Sequence, residues 1–208
     1  MDYRNLNWED LLDQLAERSW LVLDNFLSLE ELNALLKEFE QHRKQEDLRR
    51  AGIGNAFHYQ KDKEVRGDYI VWIDKEESAS HTWSFYQRML SFMGDLNRGL
   101  LLSMKEIEAH FALYPPGAFY QRHVDQFKNN GHRILSFACY LNRNWQEGDG
   151  GEIEIVDGDQ IVVIPPLAGR LVLFRSDLVE HAVLKTHKDR ISITGWMLDR
   201  PIDLPIHY

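Results

Sequence analysis

The sequence has a single cysteine, Cys139, among 208 residues. One cysteine forms no internal disulfide and no thiolate zinc site, so a bound metal would need histidine and carboxylate ligands, and a reducing compartment is expected. The sequence also lacks any run approaching the ~18 apolar residues of a membrane span, and its N-terminus has no signal-peptide pattern. These absences predict a cytoplasmic protein without a membrane partner.

Basic residues are also few, because 24 lysines and arginines stand against 33 aspartates and glutamates and give a formal net charge of -9. Such a charge repels a phosphate backbone, so no nucleic-acid partner is expected. Hydrophobic residues, in contrast, make up 44% of the chain and include six Trp and ten Phe. That is enough for one sizeable core, and we expect a single domain over residues 1–208.

Residues 1–104 carry mainly helical patterns. Three helices are predicted, at Trp8–Arg18, from Ser28 to about Arg43, and at Trp83–Leu100. The second begins with a capping box, in which Ser28 is followed three residues later by Glu31. Arg66-Gly67-Asp68 is a turn signal before a strand at Tyr69–Ile73, which predicts a hairpin near residues 60–75. We expect this region to support a larger sheet.

From residue 105 to about 200 the apolar period changes to two. Eight strands are predicted, at Ile107–Tyr114, Phe119–Asp125, Arg133–Asn142, Gly151–Val156, Gln160–Ile164, Arg170–Phe174, Glu180–Lys185 and Arg190–Leu198. Short strands at this spacing indicate a sandwich or a barrel-like roll. No linker separates them from the helices, so we expect one α+β domain with helices on one face of the sheet.

Two His-x-Asp pairs are candidate metal ligands. In the predicted strand, His123 and Asp125 point to one face while Val124 packs on the other, so the two can converge on one ion. His187 and Asp189 fall in a polar turn, Thr186 to Asp189, whose side chains we expect to face water. A distant strand must supply a third ligand if the site is to be a catalytic non-haem iron centre. His181 fits best, although a lone histidine at a strand start is also typical of a half-buried packing residue.

Arg190 suggests that the site binds an organic anion in addition to a metal. It shares one strand face with Ser192, Thr194 and Trp196, and an arginine that points inward needs an anionic partner. No acidic partner is evident on neighbouring strands, and a dicarboxylate would satisfy the guanidinium through two parallel hydrogen bonds. In the strand from Ile134 to Asn142, the even positions are small apart from Tyr140 and predict a cavity wall. The odd positions, Cys139 among them, predict core.

These residues together resemble the iron(II)- and 2-oxoglutarate-dependent prolyl 4-hydroxylases. The resemblance is carried, in chain order, by Tyr114-Pro115-Pro116-Gly117, Arg122-His123-Val124-Asp125, Tyr140-Leu141-Asn142, Gly150-Gly151-Glu152, His181, Arg190 and Trp196. It extends from about Val65 to Leu198 and is strongest to the oxygen-sensing, hypoxia-inducible-factor type enzymes and to bacterial relatives that act on elongation factor Tu. The implied fold is a double-stranded β-helix, a cupin-like jelly roll, with N-terminal supporting helices.

The resemblance also implies roles for individual residues. His123, Asp125 and His181 would hold iron(II). Arg190, Thr194, Tyr140 and Tyr114 would contact 2-oxoglutarate. The residues implied at the substrate are Arg66, Asp68, Tyr120, Arg133 and Trp196, of which Arg66 and Asp68 would belong to a finger loop. The implied reaction is O2-dependent C4 hydroxylation of a prolyl residue in a protein, with release of succinate and CO2 and with L-ascorbate as a reductant.

Alternatives remain open from the sequence alone. Arg66-Gly67-Asp68 is equally typical of a plain exposed turn. A cupin-type metalloenzyme would use the same ligands without 2-oxoglutarate, and a peptide-binding or oxygen-sensing module would keep the fold without turnover. Nucleic-acid demethylases of this superfamily usually have a second arginine six residues after the cosubstrate arginine. Trp196 occupies that position here, which argues against a repair function.

Overall fold

The computed structural model describes residues 7–52, 66–73, 80–126 and 131–200. Three helices lie in the first half of the chain, α1 (Trp8–Arg18), α2 (Leu29–Lys44) and α3 (Ser80–Leu100). The predicted capping box starts α2, since the Ser28 hydroxyl accepts a hydrogen bond from the Glu31 amide and the Glu31 carboxylate accepts one from the Ser28 amide. Among the residues described, no helix combines the length and the apolar character that a membrane crossing requires.

Eleven strands are found in the described residues. They are β1 (Trp20–Leu23), β2 (Arg49–Arg50), β3 (Tyr69–Trp72), β4 (Glu106–Tyr114), β5 (Tyr120–His123), β6 (Arg133–Tyr140), β7 (Ile153–Asp157), β8 (Gln160–Ile164), β9 (Leu171–Arg175), β10 (His181–Val183) and β11 (Arg190–Leu198). The last eight are the strands predicted from the period-two pattern, although several ends shift by one or two residues. The predicted hairpin near 60–75 is described only from Arg66 to Ile73, and its other residues lie outside the described ranges.

The strands form two antiparallel sheets that pack against each other. The larger sheet has the order β1-β9-β6-β11-β4-β3-β2, and the smaller has the order β5-β10-β7-β8. Neighbouring strands of the larger sheet are therefore often distant in the chain, as in the pairing of β11 with both β4 and β6. Two sheets crossed by such connections are the arrangement expected of a double-stranded β-helix.

The helices cover the outer face of the larger sheet, as predicted. The odd positions of β6, Leu135, Phe137 and Cys139, are less than 2% exposed and share one core with residues of all three helices. Burial raises the pKa of the Cys139 thiol, which makes it a small apolar core residue and not a nucleophile. Ala138 and Tyr140, at even positions of β6, instead pack with residues of the smaller sheet.

A cavity of about 460 Å³ opens on this inner face and is lined by residues of both sheets. Directly opposed residues of antiparallel strands share a face. Thr194 of β11 lies between Ala138 of β6 and His110 of β4, and Trp72 of β3 lies opposite His110. These four residues form a row across the cavity wall. The fold thus brings together residues as far apart in the chain as Trp72 and Thr194.

Candidate active site

His123, Asp125 and His181 meet at the cavity, where their ligand atoms all lie within 4.8 Å of one another. Asp125 Oδ1 lies 3.3 Å from His123 Nε2 and 3.8 Å from His181 Nε2. The two histidines are directly opposed in the pairing of β5 with β10. Two imidazoles and one carboxylate in this arrangement are the facial triad of non-haem iron(II) oxygenases, so the donor set fits that metal.

Asp125 reaches the triad from a bend, and its prediction as a strand residue is wrong. Strand β5 ends at His123, and the Gln126 amide then donates to the Ser176 carbonyl. The carboxylate still lies on the side of His123. The predicted convergence therefore holds, although strand alternation alone does not produce it.

Backbone carbonyls orient both imidazoles. The Nδ1 of His123 lies 2.7 Å from the Gln121 carbonyl oxygen, and that of His181 lies 3.1 Å from the Val179 carbonyl oxygen. A carbonyl only accepts, so each Nδ1 carries the proton and each Nε2 presents its lone pair to the triad. Burial lowers the pKa of His181 to about 4, which keeps this ligand neutral at physiological pH.

Asp125 is held as a carboxylate. Its burial alone would raise the pKa, but the neighbouring His181, His123 and Arg133 outweigh that effect and the net pKa lies well below its usual value. The indole Nε1 of Trp196 donates to Asp125 Oδ2 at 3.0 Å. The second carboxylate oxygen is thus occupied, which leaves Oδ1 directed at the two histidines.

The second His-x-Asp pair takes no part in this cluster. His187 is exposed, and Asp189 pairs with Arg43 of α2 at 2.9 Å. No third ligand accompanies the pair among the residues that the structure describes. One part of the prediction for this turn is wrong, because Thr186 is buried and donates from its hydroxyl to the Lys188 carbonyl.

Arg190 points into the cavity, as expected from its strand face. It is 3% exposed, its Nε donates to the Gly151 carbonyl at 2.8 Å, and its Nη1 donates to Ser192 Oγ at 3.3 Å. Gly151 has a positive φ of 77°, and a Cβ there would lie 3.1 Å from the Arg190 Cδ, so glycine permits this close approach. Within the described ranges no carboxylate pairs with Arg190. A buried guanidinium without an anion is a site for an anionic ligand.

Two tyrosines complete the surroundings of Arg190. Its guanidinium carbon lies 4.9 Å from the ring centroids of Tyr114 and Tyr140. The Tyr140 hydroxyl is buried and has no hydrogen-bond partner, and burial raises its pKa, so it retains its proton. An unused O–H beside an unpaired guanidinium fits a bound carboxylate, which accepts from both.

The five residues predicted at the substrate line the same cavity. Arg66 donates to Asp68 from two nitrogens, Nη2 reaching Oδ2 at 2.8 Å, and its guanidinium lies 4.7 Å from the Tyr120 ring centroid. Asp68 is fully buried, so the alternative of a plain exposed turn is wrong. Arg133 stacks on the Trp196 ring at 3.5 Å. The rings of Tyr120 and Trp196 and the guanidinium groups of Arg66 and Arg133 thus form one wall of the cavity, which we call the aromatic wall.

Comparison with known proteins agrees with this geometry. Residues 109–198 match the family model of the 2OG-Fe(II) oxygenase superfamily. The crystal structure of a prolyl-4-hydroxylase from Pseudomonas putida is 35% identical, superposes with a TM-score of 0.83, and covers 92% of this chain and 98% of its own. The chain belongs to the 2-oxoglutarate- and iron(II)-dependent prolyl hydroxylase family.

Two further relatives are animal proteins. The hypoxia-inducible factor prolyl hydroxylase of Caenorhabditis elegans is 28% identical over 92% of this chain, which spans 28% of that longer protein. A Trichoplax adhaerens prolyl hydroxylase, solved with a peptide of the hypoxia-inducible factor oxygen degradation domain, is 24% identical with a TM-score of 0.83 and covers 96% of each chain. Members of the family use iron(II), 2-oxoglutarate and O2.

The sequence does not indicate some contacts of this prolyl hydroxylase. Trp196 was assigned to the substrate, but its hydrogen bond to Asp125 makes it a positioning residue for the metal ligand as well. The two residues are 71 positions apart and lie in separate parts of the fold. His110, on the cavity face of β4, has no role predicted from the sequence. No short-range sequence signal indicates either contact.

Replacing Trp196 by phenylalanine tests its role as a positioning residue. The ring surface under Arg133 remains, but the N–H that holds Asp125 Oδ2 is lost. We expect the affinity for iron(II) to fall roughly 10- to 100-fold, since groups that orient a ligand typically contribute that much. Anaerobic iron titration measures it, with Trp83→Phe on the exposed face of α3 as the matched control. Equal affinities of the two variants would contradict the assignment.

Proposed function

We propose that this prolyl hydroxylase adds oxygen to C4 of a prolyl residue in an exposed segment of a protein, using 2-oxoglutarate and O2. The observation that carries the proposal is the position of Arg190 on the same cavity as the triad. A two-histidine, one-carboxylate site alone also suits enzymes that do not use 2-oxoglutarate. A buried, anion-free guanidinium in the same cavity favours a dicarboxylate cosubstrate.

The cosubstrate would lie between Arg190 and the triad. The guanidinium would bind the distal carboxylate through two parallel hydrogen bonds, and the Tyr140 hydroxyl, now without a partner, would donate a third. Thr194, whose Oγ1 lies 3.1 Å from Ser192 Oγ, faces the same space, and Tyr114 packs over the guanidinium. Fixed donors in a buried site would hold the ligand in one orientation, with its keto acid end toward the triad.

The three residues of the triad would hold the iron(II). When bound, iron(II) supplies the oxidising chemistry by which O2 is split between the C4–H bond, which becomes C4–OH, and 2-oxoglutarate, which becomes succinate and CO2. His123, Asp125 and His181 would hold the ion with three ligand atoms, which is fewer than iron(II) binds, so the cosubstrate and O2 could also bind to it. The low pKa of Asp125 and of His181 means that these two residues are already deprotonated at neutral pH.

The aromatic wall suits a prolyl ring. Tyr120 stacks on His123 with ring centroids 3.7 Å apart, so a group held against Tyr120 is also held beside a metal ligand. Trp196 is likewise joined to Asp125. An aliphatic ring packed against these surfaces would lie beside the metal ligands. Arg66 and Arg133 would donate to main-chain carbonyls on either side.

The printed names of the relatives support a protein substrate, since the C. elegans enzyme acts on a protein factor and the Trichoplax enzyme was solved with a peptide. Elongation factor Tu is our first candidate, on the resemblance to bacterial enzymes. A cytoplasmic location and the use of L-ascorbate stay predictions.

A proteome comparison tests the proposed reaction. Lysate of a strain that lacks the gene is incubated with the purified protein, iron(II), 2-oxoglutarate and O2, and peptides are searched for prolyl residues heavier by one oxygen atom. We expect a small set of new hydroxyprolines, identified as the 4-isomer by amino-acid analysis, that is also present in the wild-type strain. The Asp125→Ala variant is the control and should give none.

The same assay decides between the proposal and its rivals. Succinate is measured in the same incubation. A cupin-type enzyme would form no succinate from 2-oxoglutarate, and a non-catalytic module would form neither succinate nor hydroxyproline. New oxygen on another residue type, with succinate formed, would retain the cosubstrate and overturn the prolyl substrate.

A further inference from the structure

Two side chains, one beside Arg190 and one on the cavity wall, have buried polar atoms that call for a ligand. One is the hydroxyl of Tyr140, which the proposed cosubstrate would satisfy. The other is the imidazole of His110, which is 1% exposed and whose Nδ1 and Nε2 both lack a hydrogen bond in the structure. Nearly all buried polar groups in proteins are hydrogen-bonded, so an imidazole with two unused nitrogens calls for a ligand.

His110 lies between the cosubstrate side and the substrate side of the cavity. In the row across the larger sheet it is opposed by Thr194 on one side and by Trp72 on the other. Its ring centroid is 4.9 Å from that of Trp72 and 5.6 Å from that of Trp196. Two of its three neighbours, Trp72 and Trp196, are therefore aromatic residues of the cavity lining, and neither belongs to the group around Arg190.

The imidazole is neutral. Burial, with Arg66 next in effect, lowers the pKa of His110 to about 3. A neutral imidazole offers one N–H donor and one nitrogen acceptor. That pair matches a peptide group, which offers one C=O and one N–H, better than it matches a carboxylate, which only accepts.

We propose that His110 is a substrate-binding residue that hydrogen-bonds a main-chain amide of the bound protein next to the target proline. Leaving its nitrogens unpaired in the free enzyme costs stability, and the substrate removes that cost when it binds. The χ2 torsion of histidine is soft, so a small turn of the ring brings a nitrogen toward the cavity. This inference rests on the proposed function, because it names a contact of that substrate.

Two reactions of the same enzyme separate this contact from a cosubstrate contact. Slow succinate formation from 2-oxoglutarate alone needs no protein substrate, whereas hydroxyproline formation in the gene-deletion lysate needs one. With His110→Leu, which keeps an apolar side chain of similar size, we expect about tenfold less hydroxyproline at limiting lysate. Succinate formation without lysate should stay within twofold of wild type, and Tm should rise, because an unpaired polar group is gone. His110→Gln, which restores a donor and an acceptor, should recover most of the hydroxyproline.

His132→Leu is the matched control. The His132 Nδ1 lies 2.8 Å from Asp199 Oδ1, and His132 does not line the cavity. Unchanged hydroxyproline formation by His110→Leu would overturn the inference, and so would an equal loss of both reactions. If wild type itself forms no hydroxyproline, the proposed function fails before the variants are compared.

Discussion

Replacing Asp125 by alanine is expected to abolish the iron-dependent conversion of 2-oxoglutarate to succinate. The carboxylate is one of three ligands and is the group between the two imidazoles, since its Oδ1 is within 4 Å of both Nε2 atoms. Its removal leaves two neutral ligands and no negative charge to offset the ion. Succinate release with and without added iron(II) measures the effect.

Asp189→Ala is the matched control, because it deletes the same group from the second His-x-Asp pair. Asp189 has its own partner in Arg43, at 2.9 Å, and its neighbour His187 is exposed. We expect succinate formation near the wild-type rate. Equal losses in the two variants would show that the metal is not held where the structure brings His123, Asp125 and His181 together.

Replacing Arg190 by methionine is expected to raise the KM for 2-oxoglutarate roughly 30-fold or more, because loss of one partner from a buried, hydrogen-bonded charge pair typically costs about 2 to 5 kcal/mol. The affinity for iron(II) should stay near that of wild type, since no triad atom bonds to the guanidinium. The fold should also persist, because an apolar side chain replaces a buried cation that has no carboxylate partner within the described residues.

Arg175→Met is the control for this prediction. Arg175 lies at the end of β9, is half-exposed and has its own carboxylate partner, with Nη2 2.7 Å from Asp177 Oδ2. Its loss should leave the KM for 2-oxoglutarate unchanged. Steady-state kinetics at varied 2-oxoglutarate measure both variants, and an unchanged KM for Arg190→Met would remove the argument for a dicarboxylate cosubstrate.

The strands of the roll were predictable because each has one face in a core. Alternation along β6 places Leu135, Phe137 and Cys139 in the core shared with the helices, and the same rule places Arg190 at the cavity on β11. The capping box at Ser28 is a local signal as well. Such features depend on neighbours within a few residues, which a sequence displays directly.

Other features depended on contacts that the sequence does not display. Strand β1, Trp20–Leu23, is a four-residue apolar run whose conformation is set by pairing with β9, about 150 positions later. Asp125 lies in a bend held by Ser176. The hydrogen bond from Trp196 to Asp125 joins segments that meet only after both sheets form. The missing partners of His110 and Tyr140 are properties of the folded cavity, so no pattern of residue types reveals them.

A crystal structure of the protein with iron(II) and 2-oxoglutarate, prepared without oxygen, tests the central claim most directly. We expect one ion bound by His123, Asp125 and His181, with the keto acid end of the cosubstrate on the ion and its distal carboxylate on Arg190 and Tyr140. An ion bound at His187 and Asp189, or a distal carboxylate placed away from Arg190, would contradict the account.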